Sequence, residues 1–353
     1  MNLDLLRRLC ETPGVPGREE RVRALIEREV KGLFDEVSTD ALGSLICVRR
    51  PTAKAPKGAM ATRVMIAAHM DEIGFYVRHV DEKGYLWVNA AGGFDSRNLF
   101  ARRVIVCTEE GDHMGVMNPG GKPIHISSPE DRKKVPEVDE FFVDMGMSVE
   151  EVSARVKIGD PVVLHEPFLE LPQKIVSKAL DNRTACFVAI ESVRQMAKSK
   201  KNAAHLAEII VAFTTQEEVG LRGATTAANA VGANVGIGLD TTLAVDTPGV
   251  PDNLRVTKQG DGVGIMFQDS SMIADAELSR DLCALAARHK IPCQRCILPR
   301  GGQDGAAIQR AGAGARVAAV VVGTRYIHSV TEMIDKGDLK AAIDLLAAWL
   351  PTV

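Results

Sequence analysis

No run of apolar residues in this chain of 353 approaches the roughly 18 that a membrane-spanning helix needs, so no such span is expected. An excess of one charge is lacking too. Lys and Arg number 43 against 46 Asp and Glu, a formal net charge of -3, whereas nucleic acid and anionic membranes as partners demand clustered positive charge. The short basic runs Arg132-Lys133-Lys134 and Lys198-Ser199-Lys200-Lys201 read as solvated loop or helix-end charge. Residues 1–11 form an amphipathic helical pattern with acids where a signal peptide would carry an apolar stretch, which predicts a cytoplasmic protein. The seven cysteines are odd in number and scattered, as expected of a reducing compartment where thiols serve as small buried hydrophobes. Cys293-x-x-Cys296 lacks the second pair of a zinc ribbon and runs into Ile297-Leu298, which suggests a strand edge and no redox or metal centre. Internal repeats and low-complexity tracts are absent as well.

What is present is an ordinary globular balance, 46% hydrophobic and 25% charged, over a length sufficient for a large core or two domains. Residues 3–11 and 18–33 carry helical periodicity around the breaker Thr12-Pro13-Gly14-Val15-Pro16-Gly17, and 37–49 alternates like two short strands. After a loop rich in Lys, Pro and Ala, the apolar run 64–68 has the character of an interior parallel strand and ends at His69. The runs 209–215, 235–239 and 317–322 repeat that pattern, each followed at once by polar groups. Helical patterns lie between them at 182–198, 221–231, 275–289 and 336–350. This alternation predicts an α/β fold, a mixed and largely parallel sheet sandwiched by helices, with its site at the carboxyl ends of the strands. Residues 72–164 differ: short alternating runs punctuated by Gly, Asn and Asp predict a small β-domain inserted into a discontinuous catalytic domain of 1–71 and 165–353.

Polar residues at those strand ends carry the chemistry. His69 and Asp71 are two apart, a spacing that suits a metal-ligating imidazole and the carboxylate that orients it. Glu217 and Glu218 follow a buried strand, where two acids are costly unless paired, protonated or metal-bound. Neighbours on an extended chain point apart, which suits one carboxylate on a metal and the other on a water. It does not suit a glycosidase pair facing each other at roughly 5 to 10 Å. Asp181 sits near a helix start, where capping is the plain alternative; Asp240 reads as a loop acid after a strand; His328 follows the last sheet strand. Mixed imidazole and carboxylate donors favour zinc, cobalt or manganese over magnesium or calcium.

Ala-His-Met-Asp-Glu-Ile-Gly-Phe at 68–75, Ala-Leu-Asp-Asn-Arg at 179–183, Gln-Glu-Glu-Val-Gly-Leu-Arg-Gly-Ala at 216–224, Gly-Leu-Asp at 238–240 and Arg-Tyr-Ile-His-Ser at 325–329 succeed one another in order. Together they resemble the tetrahedral glutamyl and leucyl aminopeptidases, the dinuclear metallopeptidases of family M42, over nearly the whole chain. The resemblance implies a zinc-aminopeptidase-like fold with an inserted β-barrel used in subunit contacts, and dimers that assemble into a homododecamer. It implies two divalent metal ions bridged by Asp181, with His69 and Asp240 completing one site and Glu218 and His328 the other. Glu217 is then the general base and Asp71 the residue that orients His69. The expected reaction is removal of N-terminal residues from peptides by a metal-bridged hydroxide. Two departures stand out: the family's Gly-Gly-Thr-Asp-Ala is Gly301-Gly302-Gln303-Asp304-Gly305 here, and its Ser-Pro after the last histidine is Ser329-Val330. The first points to Gly302, Gln303 and Asp304 as substrate-pocket residues. The rival readings are an N-acyl amino acid deacylase on the same centre, a cellulase-type glycosidase, and a non-catalytic assembly protein that keeps only the fold.

Overall fold

A computed structural model describes residues 1–53, 62–199 and 204–353; Lys200-Lys201 of the second basic run and most of the loop ahead of Val64 lie outside the described residues. Four strands are apolar almost throughout because both of their faces are covered. Glu208–Thr214, Arg63–His69, Val235–Leu243 and Arg316–Arg325 lie side by side in that order, all parallel. In the second of them Val64, Ile66 and Ala68 face one core and Met65 and Ala67 the other; in the fourth, Ala318, Val320 and Val322 oppose Val317, Ala319 and Val321. That alternation is the period of two that a strand imposes.

One core is roofed by the helices Leu3–Glu11, Leu180–Lys198, Ala276–His289 and Lys336–Trp349, the other by Arg222–Val231 and Gly305–Arg310. Antiparallel strands finish the edges: Leu45–Arg49 and Glu36–Thr39 on one side, Glu332–Asp335, Lys174–Ser177 and Leu169–Glu170 on the other. Val263–Gln268 adds to the Arg316–Arg325 strand and is itself paired with Cys293–Ile297, so Cys293 and Cys296 sit in a strand as their sequence suggests. The helical pattern of 18–33 shortens to Glu20–Glu29, with turns beyond it. Two helices carry too little periodicity to be read in sequence, Gly305–Arg310 and Val149–Arg155, the latter held by a capping box between Ser148 and Glu151. Among the described residues no helix is long and apolar enough to cross a membrane.

The inserted β-rich segment is a closed barrel of six strands running from Gly74 to Leu164. Phe75, Val77, Leu86, Val104, Phe141 and Val162 are among its fully buried side chains. Gly74 opens the barrel where the 13–17 breaker packs against it: a Cβ there would lie 2.3 Å from Val15 Cγ1. Val330, two residues after His328, is buried in the barrel core although it belongs to the other end of the chain.

A buried polar network joins these parts. The Arg183 guanidinium, wholly enclosed, donates to the carbonyls of Leu9, Thr12 and Met70 and approaches Glu72 Oε1 at 3.4 Å. Glu72 in turn accepts from Lys178 Nζ at 2.6 and 2.8 Å and from Gly14 N at 3.3 Å. One cation thereby fixes the first helix, the breaker loop and the turn between His69 and the barrel. Arg183→Met should lower the unfolding free energy by about 3–5 kcal/mol, because it strands the carbonyls of Leu9, Thr12 and Met70 and leaves Glu72 with Lys178 as its one cationic partner. Urea unfolding measures this, and a loss below about 1 kcal/mol, the worth of a surface pair, would show that the network adds little.

Candidate active site

The sheet brings its polar strand ends to one place. His69 is the last residue of its strand and pairs with Thr214 next to it. Asp240 stands two residues beyond the Gly238–Ala67 pair and so is level with His69. The expectation of a loop acid is corrected here: the strand continues to Leu243, and Asp240 pairs with Val321 inside it. Glu217 and Glu218 occupy the turn after Thr214. Asp181 lies in the first turn of Leu180–Lys198 with extended backbone angles, φ -81° and ψ 105°, so it does not continue the helix. His328 follows the Arg316–Arg325 strand in the left-handed region at φ 63°, a strained conformation for a residue with a Cβ.

Distances within the cluster are short and ordered. His69 Nε2 lies 3.3 Å from Asp181 Oδ1, 3.8 Å from Glu217 Oε2 and 3.9 Å from Asp240 Oδ1. His328 Nε2 lies 3.6 Å from Asp181 Oδ2 and 3.4 Å from Glu218 Oε1. Asp181 therefore turns one oxygen to each imidazole. Grouped by mutual closeness, ligand atoms of His69, Asp181 and Glu218 fall within 4.8 Å of one another, and so do those of His69, Glu217 and Asp240. That grouping omits His328 and shares His69. The separate oxygens of Asp181 divide the cluster more naturally, into a His69–Asp240 side and a His328–Glu218 side.

Three further carboxylates hold the cluster in shape. Asp71 lies beside His69 Nδ1, its carbonyl oxygen at 3.0 Å and Oδ1 at 3.4 Å, and its carboxylate accepts from the Glu217 and Glu218 amides at 3.1 Å each. Glu332, which sequence reasoning missed, accepts from Asp181 N at 2.9 Å with one oxygen and from His328 N at 2.8 Å with the other. Glu19 accepts from Gln216 N at 3.0 Å and so reaches the Glu217-Glu218 turn from the other side. A lone acid in a strand after a loop gives no pattern to find; only its burial exposes the role of Glu332.

Electrostatics state the same crowding. Burial raises the Glu217 and Asp240 carboxyls well above their usual range, and neighbouring carboxylates add to it; Glu218 is raised by the same cause. Burial opposes charge on His69, yet Glu217, Asp181 and Asp71 outweigh it and lift the imidazole well above its ordinary value. His328 is treated likewise: burial lowers it, and Asp181 and Glu218 carry it up to about 11. Asp181 alone is lowered, because the two imidazoles overcome its burial. Carboxylates this close share a site only when protons or cations intervene. Two imidazoles and four carboxylates with no Lys or Arg among them are a donor set that fits divalent ions.

A cavity of about 670 Å³ opens from the cluster, lined by all six of those groups and, farther out, by Thr241, Thr242, Ser271, Arg300 and Gly302. Of the three residues expected in the pocket, Gly302 lines it. Gln303 and Asp304 are buried behind the wall: Gln303 Oε1 accepts from Gly305 N at 2.6 Å, and a Cβ on Gly238 would lie 1.7 Å from that oxygen. Asp304 accepts from Thr214 Oγ1, and burial pushes its carboxyl up to about 6.

The chain resembles known proteins along its whole length. It is 32% identical to the lysyl aminopeptidase of Pyrococcus furiosus over 353 residues, covering 98% of this chain and 96% of that protein. The crystal structure of a TET aminopeptidase from the sediment archaeon Thaumarchaeota archaeon SCGC AB-539-E09 superposes with a TM-score of 0.92 at 34% identity, over 99% of this chain and 96% of the other. The TET1 peptidase of Pyrococcus horikoshii, which can assemble into a tetrahedron or a large octahedral shell, gives 0.85 at 30% identity, covering 99% and 98%. A sequence model of the M42 glutamyl aminopeptidases matches residues 43–345, and with these likenesses the chain belongs to that family.

Proposed function

We propose that this protein is a metal-dependent aminopeptidase with two divalent ions, Asp181 bridging, His69 and Asp240 on one and Glu218 and His328 on the other. The observation that carries the reading is that Asp181 presents separate oxygens to His69 and His328 at 3.3 and 3.6 Å. Such ions supply Lewis acidity toward a scissile carbonyl and lower the pKa of water. Glu217 stands beside the ligands with a carboxyl that burial has made more basic, as suits a group that takes a proton from the attacking water and returns it to the leaving amine. Asp71 holds His69 and the glutamate turn in register. The ammonium of a free peptide N-terminus is a cation drawn to this carboxylate-rich end of the cavity, which restricts cleavage to the first residue. The seven free cysteines suit a cytoplasmic setting.

Self-association belongs to the same reading, with dimers building a dodecamer as the family's shells suggest. The barrel offers the surface: Met114 and Val116 stand about half exposed on one strand, with Ile124 and Ile126 more exposed in the loop beyond.

Chelated protein should cleave no aminoacyl p-nitroanilide, regain activity with zinc, cobalt or manganese, and leave N-acetylated counterparts intact. Cleavage of the acetylated substrate would favour a deacylase, and undiminished glucan hydrolysis after chelation a glycosidase. Glu217→Gln should retain metal by elemental analysis and lose about 10²–10⁴-fold in kcat; an active, metal-loaded variant would remove the glutamate from its role. Glu332→Gln should weaken metal affinity by about 10–100-fold with the fold intact, measured by competition with a chromogenic chelator. Unchanged affinity would make Glu332 a purely structural acid.

A further inference from the structure

Part of the cavity wall is built from residues outside the cluster. Two segments form it, Ser270-Ser271 after the strand Val263–Gln268 and Gly301-Gly302 after its parallel neighbour Cys293–Ile297. Both lie outside strands and helices, so their relative position rests on individual bonds.

Asp269 organises the first segment. Its carboxylate is buried, and Oδ1 accepts from Ser271 N, Ser271 Oγ and Met272 N at 2.7, 2.8 and 2.7 Å. The other oxygen, Oδ2, accepts at 3.3 Å from Gln303 Nε2, which belongs to the second segment. Gln303 is buried as well and is fixed at its far end, where Oε1 accepts from Gly305 N at 2.6 Å. These partners set the orientation of the amide, since a backbone N–H only donates and an ionised carboxylate only accepts. The two segments also touch directly: Ser270 N donates to Gly301 O at 3.0 Å, and a Cβ on Gly302 would lie 2.5 Å from Ser271 Oγ. Asp269, Ser271, Gly302 and Gln303 thereby close a circuit, with only its outer side facing the cavity. Threonine, the residue of the family pattern at this position, ends two bonds nearer the backbone than the Gln303 amide nitrogen and would leave Asp269 Oδ2 without this donor. A buried carboxylate oxygen that loses its donor is costly, so the segment would shift to find another.

Resting on the aminopeptidase reading for what the cavity holds, we infer that Gln303 is a positioning residue: through Asp269 it clamps Ser270-Ser271 against Gly301-Gly302 and fixes the wall against which substrate is bound. It acts through that wall, and its loss is felt in substrate binding and not in the chemical step. An interaction made equally in the bound substrate and in the transition state moves KM and leaves kcat in place.

The test compares the metal-loaded, full-length protein with three variants. Gln303→Met keeps the reach of the side chain and removes its hydrogen bonds, and Gln303→Thr shortens it. Gln303→Glu combined with Asp269→Asn reverses the direction of the bond between the two positions at the same total charge and keeps an acceptor for Gly305 N. Hydrogen–deuterium exchange needs no substrate: the amides of Ser271 and Met272 should exchange about tenfold faster in the two single variants and return close to the wild-type rate in the double variant. With the aminoacyl p-nitroanilide that the wild type cleaves best, the single variants should raise KM by about tenfold, hold kcat within about threefold and keep their metal, and the double variant should recover most of the KM. Wild-type exchange in Gln303→Met, or a double variant no better protected than the single ones, overturns the clamp. Faster exchange with an unchanged KM overturns the role of the wall in binding. Loss of metal, or a larger fall in kcat, moves the effect to the cluster by way of Gly238 and overturns it too. If the wild type cleaves no anilide under any metal, the aminopeptidase reading and the role in binding fall together, while exchange still decides the clamp.

Discussion

A concentration of negative charge at the carboxyl end of the sheet governs the rest of the molecule. Asp71, Asp181, Glu217, Glu218, Asp240 and Glu332 stand within one region with two imidazoles as the nearby titratable cations, and most of these groups are shielded from water. Such a cluster is unstable as a set of bare carboxylates, and the protein meets this in graded ways. Backbone amides donate to Asp71 and Glu332, burial keeps Glu217, Asp240 and Glu332 avid for protons, and the imidazoles carry charge beside Asp181. On the proposed two-metal reading, divalent ions would accomplish the same neutralisation at His69, Asp181, Glu218, Asp240 and His328 while leaving the amide-bound carboxylates untouched.

Scaffold and site therefore depend on each other in a definite order. The parallel strands place His69 and Asp240 level, and the buried Arg183–Glu72–Lys178 group then locks the turn that leaves His69. Glu332 supplies the remaining registration, one carboxylate tying the Asp181 and His328 backbones across 147 residues of sequence. The local conformations so held are unfavourable ones: Ala179, Gln216, Tyr326 and His328 all lie in the left-handed region next to the cluster. Residues with side chains persist there only where surrounding bonds over-determine them.

Much of this was legible in sequence because it follows from periodicity. Apolar runs covered on both faces mark the four central strands, and each of the polar positions His69, Glu218, Asp240 and His328 comes at or just past an apolar stretch. Asp240 was misplaced into a loop because a strand that continues through Thr241 and Thr242 has no hydrophobic signal left to extend it. Glu332 and Arg183 were invisible for a different reason: buried charge looks like surface charge until the tertiary fold encloses it. Gln303 and Asp304 carry the loop's departure from the family pattern, but sequence spacing does not distinguish a wall from what lies behind it; packing against Gly238 does.

The burial of Val330 in the barrel core bears on how freely the two parts of the chain can be exchanged. The barrel begins three residues after Asp71, and its core also receives a side chain two residues past His328. The backbone stretches that carry both histidines thus join it, from distant parts of the sequence. A barrel grafted from a relative would have to bring a matching socket for Val330, and a chain pruned of residues 72–164 would leave that side chain without its core. Modularity here is an appearance of the strand diagram; the inserted piece and the segment that follows His328 share one core.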